Sequence, residues 1–330
     1  MQMLTRRSAL GALALPALAL PALALPRAAR AAWPERPVTL VVPFPPGGSN
    51  DVVARMVAQP LSREMGQPFV VDNRPGANGN IGAAQVARAA PDGYTVLVSG
   101  NGQNAMNHGL YRNMPYDSRT AFTHVAQLAL LPNALVVADS FPARSLADLI
   151  RMAKEKPGGI TFASPGSGSS GHLAMAMLMR AAGVEMLHVP YRGAAPAITD
   201  VIAGQVPVVM INVDIPLPHV RAGRLRVLAV TSEARSALYP DAPTVAESGF
   251  PGFAATGWLG LSVPAGTPPD IVARLHEVAA RTLQDPQLRE RFAASGYIPG
   301  GGSSADYARF IDSEITKWGS VTRDLSIVLE

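Results

Sequence analysis

The 330-residue chain has 28 Lys and Arg, 24 Asp and Glu, and no cysteine. Four arginines and no acids lie in residues 1–31, so the remaining chain has 24 residues of each sign. This balance gives no support for binding to nucleic acid or to an anionic membrane surface, both of which require clustered basic charge. The absence of cysteine excludes disulfides, thiol catalysis and thiolate metal sites.

Residues 1–31 have the three parts of a secretory signal. An arginine pair, Arg6-Arg7, precedes an uncharged Ala/Leu/Pro run over residues 11–26 and a small-residue cleavage site at residues 29–31. A membrane anchor is the alternative, but a span needs roughly 20 strongly apolar residues, and this run is shorter and is interrupted by Pro16 and Pro21. We expect this segment to be removed on export to the periplasm. The arginine pair favours the export route for folded proteins.

The remaining sequence alternates short apolar runs with helical patterns of ten to fifteen residues. This rhythm predicts an α/β protein with parallel, doubly wound sheets. The first series predicts strands at 38–42, 69–71 and 94–98 and helices at 49–65 and 80–90. A long extended stretch at 122–137 is broken near 131–133, and a capping box at Ser145 and Asp148 predicts a helix to about residue 154. The second series predicts strands at 160–163, 186–189, 206–211 and 225–230, helices at 171–182 and 194–203, then a strand at 258–263 and C-terminal helices.

No flexible linker separates the two series, which predicts two lobes joined by extended crossings. We place these crossings near 126–133 and 252–262. Residues 32–130 and 255–330 then form lobe one, and residues 131–254 form lobe two. Such a chain path leaves a ligand cleft between the lobes, hinged at the crossings.

A glycine-rich turn between the first strand and the first helix is the first candidate site. Glycines let the backbone approach a ligand, and the helix N-terminus offers unpaired N–H groups and a positive dipole end. In open α/β sheets this position binds anions. The alternative is an ordinary tight turn in which Ser49 or Asn50 caps the helix. The candidate ligand residues are Phe44, Pro46, Gly47, Gly48, Ser49, Asn50 and Asp51.

A second turn joins the strand at 160–163 to the next helix. It matches G-x-G-x-x-G, but a dinucleotide site also requires an acid about 20 residues on, and the following strand ends in Pro190-Tyr191-Arg192 instead. Serine hydroxyls and helix N–H groups suit a carboxylate better, so we predict no cofactor. The candidate ligand residues are Ser167, Gly168, Ser169, Ser170 and His172.

Enzymatic chemistry finds little support in the sequence. The serines of the second turn do not fit G-x-S-x-G, and His172 lies in the first helical turn, where lining or capping is the expected role. The other five histidines lack H-x-x-x-H or H-E-x-x-H spacing, so we predict no metal site.

Further polar residues follow predicted strands on the carboxyl side, where ligands bind. Asn101 and Asn104 follow the third strand, Tyr191 and Arg192 follow a strand of lobe two, and Asp214 follows another. Arg192 has the geometry to pair with a ligand carboxylate, or it is solvated. Asp214 selects a ligand amine or hydroxyl, or it makes a hydrogen bond between the lobes.

Several long segments together resemble the substrate-binding proteins of tripartite tricarboxylate transporters, the Bug family. These segments are PFPPGGSNDVVAR, VVDNRPGANGNIGAAQVARAAPDGYT, GSGSSGHLA, PYRGAAPAITDVIAGQV, GRLRVLAVTSEAR, APTVAESGFPG and PAGTPPDIVARL. The resemblance implies a type II periplasmic-binding-protein fold that captures a small organic acid for two membrane permease subunits. It also implies that the turn from Phe44 to Asp51 holds one ligand carboxylate and that the turn from Gly166 to His172 grips the distal end.

The sequence therefore predicts a monomeric, periplasmic carboxylate-binding protein that is not an enzyme. A ligand sensor that signals to a membrane partner is an alternative, since the same lobes serve both roles. An exported enzyme acting on a carboxylate is a third hypothesis, without a credible catalytic constellation.

Overall fold

A computed structural model of the protein describes residues 33–324 and 327–329. The predicted export signal lies outside the described residues. In chain order the strands are β1 (Val38–Val42), β2 (Phe69–Asn73), β3 (Thr95–Gly100), β4 (Phe122–Leu131), β5 (Asn133–Ala138), β6 (Thr161–Ser164), β7 (Leu187–Pro190), β8 (Val208–Asn212), β9 (Leu225–Val230), β10 (Gly257–Pro264) and β11 (Ile298–Pro299). The helices are α1 (Ser49–Met65), α2 (Asn80–Ala87), α3 (Asn107–Leu110), α4 (Leu146–Glu155), α5 (Ser170–Ala182), α6 (Ala194–Ile202), α7 (Leu217–Arg221), α8 (Pro269–Thr282), α9 (Pro286–Ala294) and α10 (Ser304–Asp324). A 3-10 turn (Ala77–Gly79) precedes α2, and a π-helix (Gly102–Met106) precedes α3.

Sheet one contains six strands in the order β11-β4-β10-β3-β1-β2. Strand β1 pairs in parallel with both β2 and β3. Its sequence, VTLVV, is the unbroken apolar run expected of a strand covered on both faces. The prediction of a parallel βαβαβ unit is confirmed here, and the sheet continues with the antiparallel strands β10, β4 and β11.

Sheet two contains five strands in the order β7-β6-β8-β5-β9. Strand β6 pairs in parallel with β7 and β8, and β5 pairs antiparallel with β8 and β9. The predicted capping box at the start of α4 is present, because the Ser145 hydroxyl accepts the Asp148 N–H at 3.1 Å.

The chain passes between the sheets twice, at Pro132 and again between β9 and β10. The fully buried Asn133 ties these crossings together. Its N–H donates to the Thr231 hydroxyl at 3.0 Å, and its side-chain amide donates to the Ala255 carbonyl at 3.2 Å. We call the described residues 33–131 and 257–329 the sheet-one half, and residues 133–255 the sheet-two half. The predicted lobe boundaries stay a prediction.

The largest hydrophobic cluster includes side chains from both halves. Leu110, Trp258 and Ile315 come from the sheet-one half, and Leu135 and Leu173 come from the sheet-two half. The halves are therefore packed together next to the crossings. Separate clusters lie between sheet one and α1 and α8, and between sheet two and α6. In the part of the chain that the structure describes, no helix has the length and apolarity needed to span a membrane.

A buried carboxylate joins two tryptophans within this shared core. The Glu314 Oε2 atom accepts the indole N–H of Trp258 at 3.0 Å and that of Trp318 at 2.8 Å. Both indoles are almost fully buried, so Trp258 packs in the core. Helix α10 is thereby attached to the start of β10, where the chain returns to sheet one.

Candidate functional site

The first candidate turn connects β1 to α1 at the carboxyl end of a central strand. Gly47 has a φ of +82°, a left-handed conformation that favours glycine. Gly48 is the extended N-cap residue, and no side chain caps the helix there. The first N–H groups of α1 therefore remain available at the junction between the two halves, as anion binding requires. Around them Phe44, Gly48 and Asn50 are half-buried, whereas Pro46 is exposed.

The carboxylate of Asp51 is engaged inside this turn. It accepts the Gly47 N–H at 3.0 Å, the Asn73 amide at 3.0 Å and the Arg55 guanidinium at 3.0 and 3.1 Å. Burial alone raises the pKa of Asp51, but these hydrogen bonds and the Arg55 charge outweigh burial and leave the pKa below its usual value. Asp51 thus supports the turn, and its predicted contact with a ligand stays a prediction.

The second candidate turn connects β6 to α5. Ser169 caps the helix, because its hydroxyl accepts the His172 N–H at 3.3 Å, and the Gly168 N–H donates to the His172 ring at 3.1 Å. A side chain at Gly171 would bring its Cβ within 2.1 Å of the Met210 carbonyl oxygen. Glycine at this position therefore lets the start of α5 lie directly on β8.

Two stacked histidines lie next to the second turn. The His172 and His188 rings lie 3.9 Å apart and nearly parallel, and the His188 ring bonds the Ser164 hydroxyl at 2.7 Å. Burial lowers the pKa of His172 to about 4 and, with the neighbouring His172, lowers that of His188 to about 3. Both rings are neutral near pH 7, so N–H groups, hydroxyls and the helix dipole are what this turn offers an anion.

Direct hydrogen bonds join the two halves beside both turns. The Ser49 hydroxyl donates to the Asp214 carboxylate at 2.8 and 3.0 Å. The Asn78 amide donates to the Gly168 carbonyl at 2.8 Å. The second turn follows β6, and Asp214 follows β8, which pairs with β6. Because Asp214 also bonds Ser49 of the first turn, the two turns lie at the same junction. Of the two roles considered for Asp214, the structure shows the hydrogen bond between the halves.

Several other predicted ligand residues make hydrogen bonds within their own half. The Tyr191 hydroxyl bonds Asp200 at 2.6 Å, within the sheet-two half. Asn101 bonds the Met106 sulfur at 3.2 Å, and the fully buried Asn104 accepts the Gly100 N–H at 3.3 Å. Ser167 is half-buried, and its side chain makes no hydrogen bond to the described residues, which leaves it available to a ligand. Arg192 is exposed.

Three residues at the junction escaped the sequence analysis. Asn78 lies in the 3-10 turn, where its φ is +48°, and it bonds Gly168. Tyr297 lies between α9 and β11 and donates to Asp214 at 2.5 Å. Asn133 lies at the first crossing. NRPGANGN, which includes Asn78, was noted only as part of a family segment. Asn133 lies in the predicted break at 131–133, which gave no sign of its side-chain role, and no local pattern marks Tyr297.

A groove of about 1130 Å³ also lies along α2, next to residues 111–113. Its lining includes Ile81, Arg88 and Arg112. None of the predicted ligand residues line it.

Two α/β halves, connected by two crossings and presenting helix N-termini at their junction, define a solute-binding protein of the type II periplasmic-binding-protein fold. The chain belongs to the TctC family, the tripartite tricarboxylate transporter family receptors, whose model matches residues 53–327. Both the predicted fold class and the predicted family are confirmed.

Three solved structures illustrate the similarity. Rpa4515 from R. palustris, with adipate, is 40% identical with a TM-score of 0.86, over 90% of this chain and 100% of that chain. The periplasmic binding protein BugD is 32% identical with a TM-score of 0.84, over 90% of this chain and 100% of that chain. MatC from Rhodopseudomonas palustris, with bound malate, is 32% identical with a TM-score of 0.82, over 88% of this chain and 99% of that chain.

These relatives are binding proteins, not enzymes. The prediction that the chain is a binding protein rather than an enzyme is confirmed by this membership. Members of the family bind small carboxylates, as the adipate and malate complexes illustrate.

Proposed function

We propose that this protein is a monomeric periplasmic receptor that captures a small carboxylate between its two candidate turns and delivers it to the membrane permease subunits of a tripartite transporter. The observation that supports this proposal is that the N-termini of α1 and α5 lie at one junction, to which both halves contribute residues. Each supplies backbone N–H groups, and the Arg55 guanidinium beside the first turn is paired with Asp51. Charge-assisted hydrogen bonds of this kind contribute about 1.5–3 kcal/mol each, so a few of them support micromolar binding.

The ligand residues follow from this arrangement. The first turn contributes Phe44, Gly48 and Asn50 beside the N-terminus of α1, and the second turn contributes Ser167 and Ser170 beside that of α5. Asp214 and Ser49 lie at the same junction, but they bond each other. The carboxylate ligands of the relatives support the same ligand class for this chain.

Calorimetric titration of the chain from Ala32 with adipate, malate and a panel of other organic acids tests the proposal. We expect at least one small carboxylate to bind with a micromolar Kd. No heat or thermal stabilisation with any acid, for protein freed of bound ligand by unfolding and refolding, would contradict it.

A charge placed in the second turn provides the sharper test. Ser167→Asp adds a negative charge where the ligand carboxylate is proposed to bind, and we expect at least tenfold weaker binding. Ser320→Asp is the matched control, since it adds the same charge at an exposed position of α10. Equal affinities for the two variants would exclude the second turn from the binding site.

Delivery is tested in cells of the source organism. Deletion of the gene should abolish uptake of the identified acid at low concentration, and the wild-type gene should restore uptake where the Ser167→Asp gene does not. Uptake that persists while a transcriptional response to the acid is lost would favour the sensor alternative.

A further inference from the structure

The carboxylate of Asp214 is held by two hydroxyls from the opposite half. Ser49 donates to it from the start of α1, at 2.8 and 3.0 Å, and Tyr297 donates from the segment between α9 and β11, at 2.5 Å. Asp214 itself follows β8 in the sheet-two half. Two separate segments of one half thus converge on a single carboxylate of the other.

These hydrogen bonds use the acceptor capacity of Asp214. Burial raises the pKa of its carboxyl, while the bonds from Tyr297 and Ser49 and the backbone N–H groups of Asp214 and Ile215 oppose that rise. Both oxygens of the carboxylate accept from side chains of the opposite half, so Asp214 bonds across the junction.

The backbone next to Tyr297 is also close to the other half. A Cβ at Gly296 would lie 2.7 Å from Leu238 and 3.0 Å from Val213, both in the sheet-two half. The Tyr297 ring is buried and packs edge-on against Phe292 at 5.9 Å. The phenol is therefore fixed in position, and the two halves have no room to approach further at this point.

We infer that Ser49, Tyr297 and Asp214 set the spacing of the two halves around the ligand and thereby select ligands by width. This inference rests on the proposed function. A slender acid that fits within the spacing allows all three side chains to bond. A wider acid of the same charge holds the halves apart, and these hydrogen bonds are lost.

The test compares two dicarboxylates of equal charge, adipate and cyclohexane-1,2-dicarboxylate. These hydrogen bonds are expected to hold the halves without ligand as well, so a wider acid can bind the wild type only by breaking them. Tyr297→Phe should therefore lower the Kd for the ring acid roughly tenfold and change that for adipate less than about twofold. Tyr307→Phe is the matched control, because it removes a buried phenol that bonds Ser99 at 2.8 Å within one half. We expect it to leave the adipate preference unchanged. Equal changes in Kd for both acids in Tyr297→Phe would overturn the inference.

A second measurement needs no ligand, so it separates failure of this inference from failure of the proposed function. The chain has no cysteine, so spin labels can be attached at Glu290→Cys and Gln205→Cys, one exposed position in each half. Tyr297→Phe and Asp214→Asn should each broaden the interlabel distances toward longer values, and Tyr307→Phe should not. Distances that match the wild type in both junction variants would overturn the inference. So would a changed ligand preference in Asp214→Asn alone, which would indicate direct ligand contact.

Discussion

The Ser170 hydroxyl donates a 3.2 Å hydrogen bond to the side-chain oxygen of Asn133. Ser170 is the first residue of α5, in the second candidate turn, and Asn133 is the first residue after the crossing at Pro132. The same Asn133 oxygen accepts from Asn212, at the end of β8, at 3.4 Å. The proposed ligand turn is thereby attached to the first crossing between the two sheets.

Replacing this asparagine should destabilise the protein. Asn133→Ala removes the acceptor used by Ser170 and one of two side-chain donors to the Ala255 carbonyl, which keeps the Thr231 hydroxyl at 2.9 Å. A buried polar group without its partner costs about 1–3 kcal/mol, so we expect the free energy of unfolding in urea to fall by about that amount. Asn113→Ala, at an exposed position, is the control and should change it by less than 0.5 kcal/mol, as surface substitutions usually do. Similar values for the two variants would show that Asn133 does not support the crossing.

Glu314 is also expected to stabilise the folded protein, because it is the acceptor for two buried indole N–H groups. Glu314→Ala leaves the indole N–H groups of Trp258 and Trp318 buried without an acceptor, and we expect a loss of about 2–4 kcal/mol in unfolding free energy. Tryptophan fluorescence during urea unfolding reports the loss directly. Glu290→Ala, on the exposed face of α9, serves as the control. A loss below 1 kcal/mol for Glu314→Ala would contradict the proposed role.

The stacked histidines predict a dependence of stability on pH. The unfolded chain takes up protons near the ordinary histidine pKa of about 6.5, whereas burial holds the pKa of His172 at about 4 in the folded protein. Between these values the unfolded state binds more protons, so the free energy of unfolding falls as the pH drops from 6.5 to 4. Carboxylates contribute to the same decline.

A variant isolates the histidine contribution. His188→Phe keeps a ring to stack on Phe162 and His172 but cannot be protonated. Between pH 6.5 and 4 its unfolding free energy should fall by on the order of 1 kcal/mol less than that of the wild type, after allowing for the partly exposed ring. Parallel curves from thermal unfolding at each pH would show that His188 is not held neutral.

Close packing of α5 on β8 predicts a large effect of a small change. Gly171→Ala places a methyl group within 2.1 Å of the Met210 carbonyl oxygen, so the start of the helix has to move. We expect a loss of about 1–3 kcal/mol in stability, the usual cost of overpacking, together with weaker carboxylate binding. Gly301→Ala, where a Cβ would meet nothing within 4 Å, should alter neither property. Retention of full affinity by Gly171→Ala would separate the position of α5 from ligand binding.

Local sequence patterns predicted most of the regular elements. Helix α1 begins at Ser49 and ends at Met65, as its apolar spacing indicated, and β9 matches its predicted range of 225–230. These elements are specified by periodicity and end signals within their own residues. Both candidate turns were found for the same reason, since each consists of glycines and serines between a strand and a helix.

Pairing between distant segments could not be predicted from local sequence patterns. The antiparallel position of β10 between β3 and β4 depends on residues more than 100 positions apart, and an apolar run looks the same in either direction. Tyr297 gives no local sign that its hydroxyl reaches Asp214, 83 residues away. The π-helix and the short helices α3 and α7 also lack strong periodicity, because they contain only one or two turns.

The cluster around Trp258 has a consequence for how the chain folds. Its side chains come from α3, β5, α5, β10 and α10, so neither half has a complete core around the crossings. A fragment that ends at Pro132 would expose Leu110 without Leu135 and Leu173, and a fragment limited to residues 133–255 would lack Trp258 and Ile315. The two halves are therefore expected to acquire their final structure in a single cooperative step, in which α10 completes a core to which α3 also contributes.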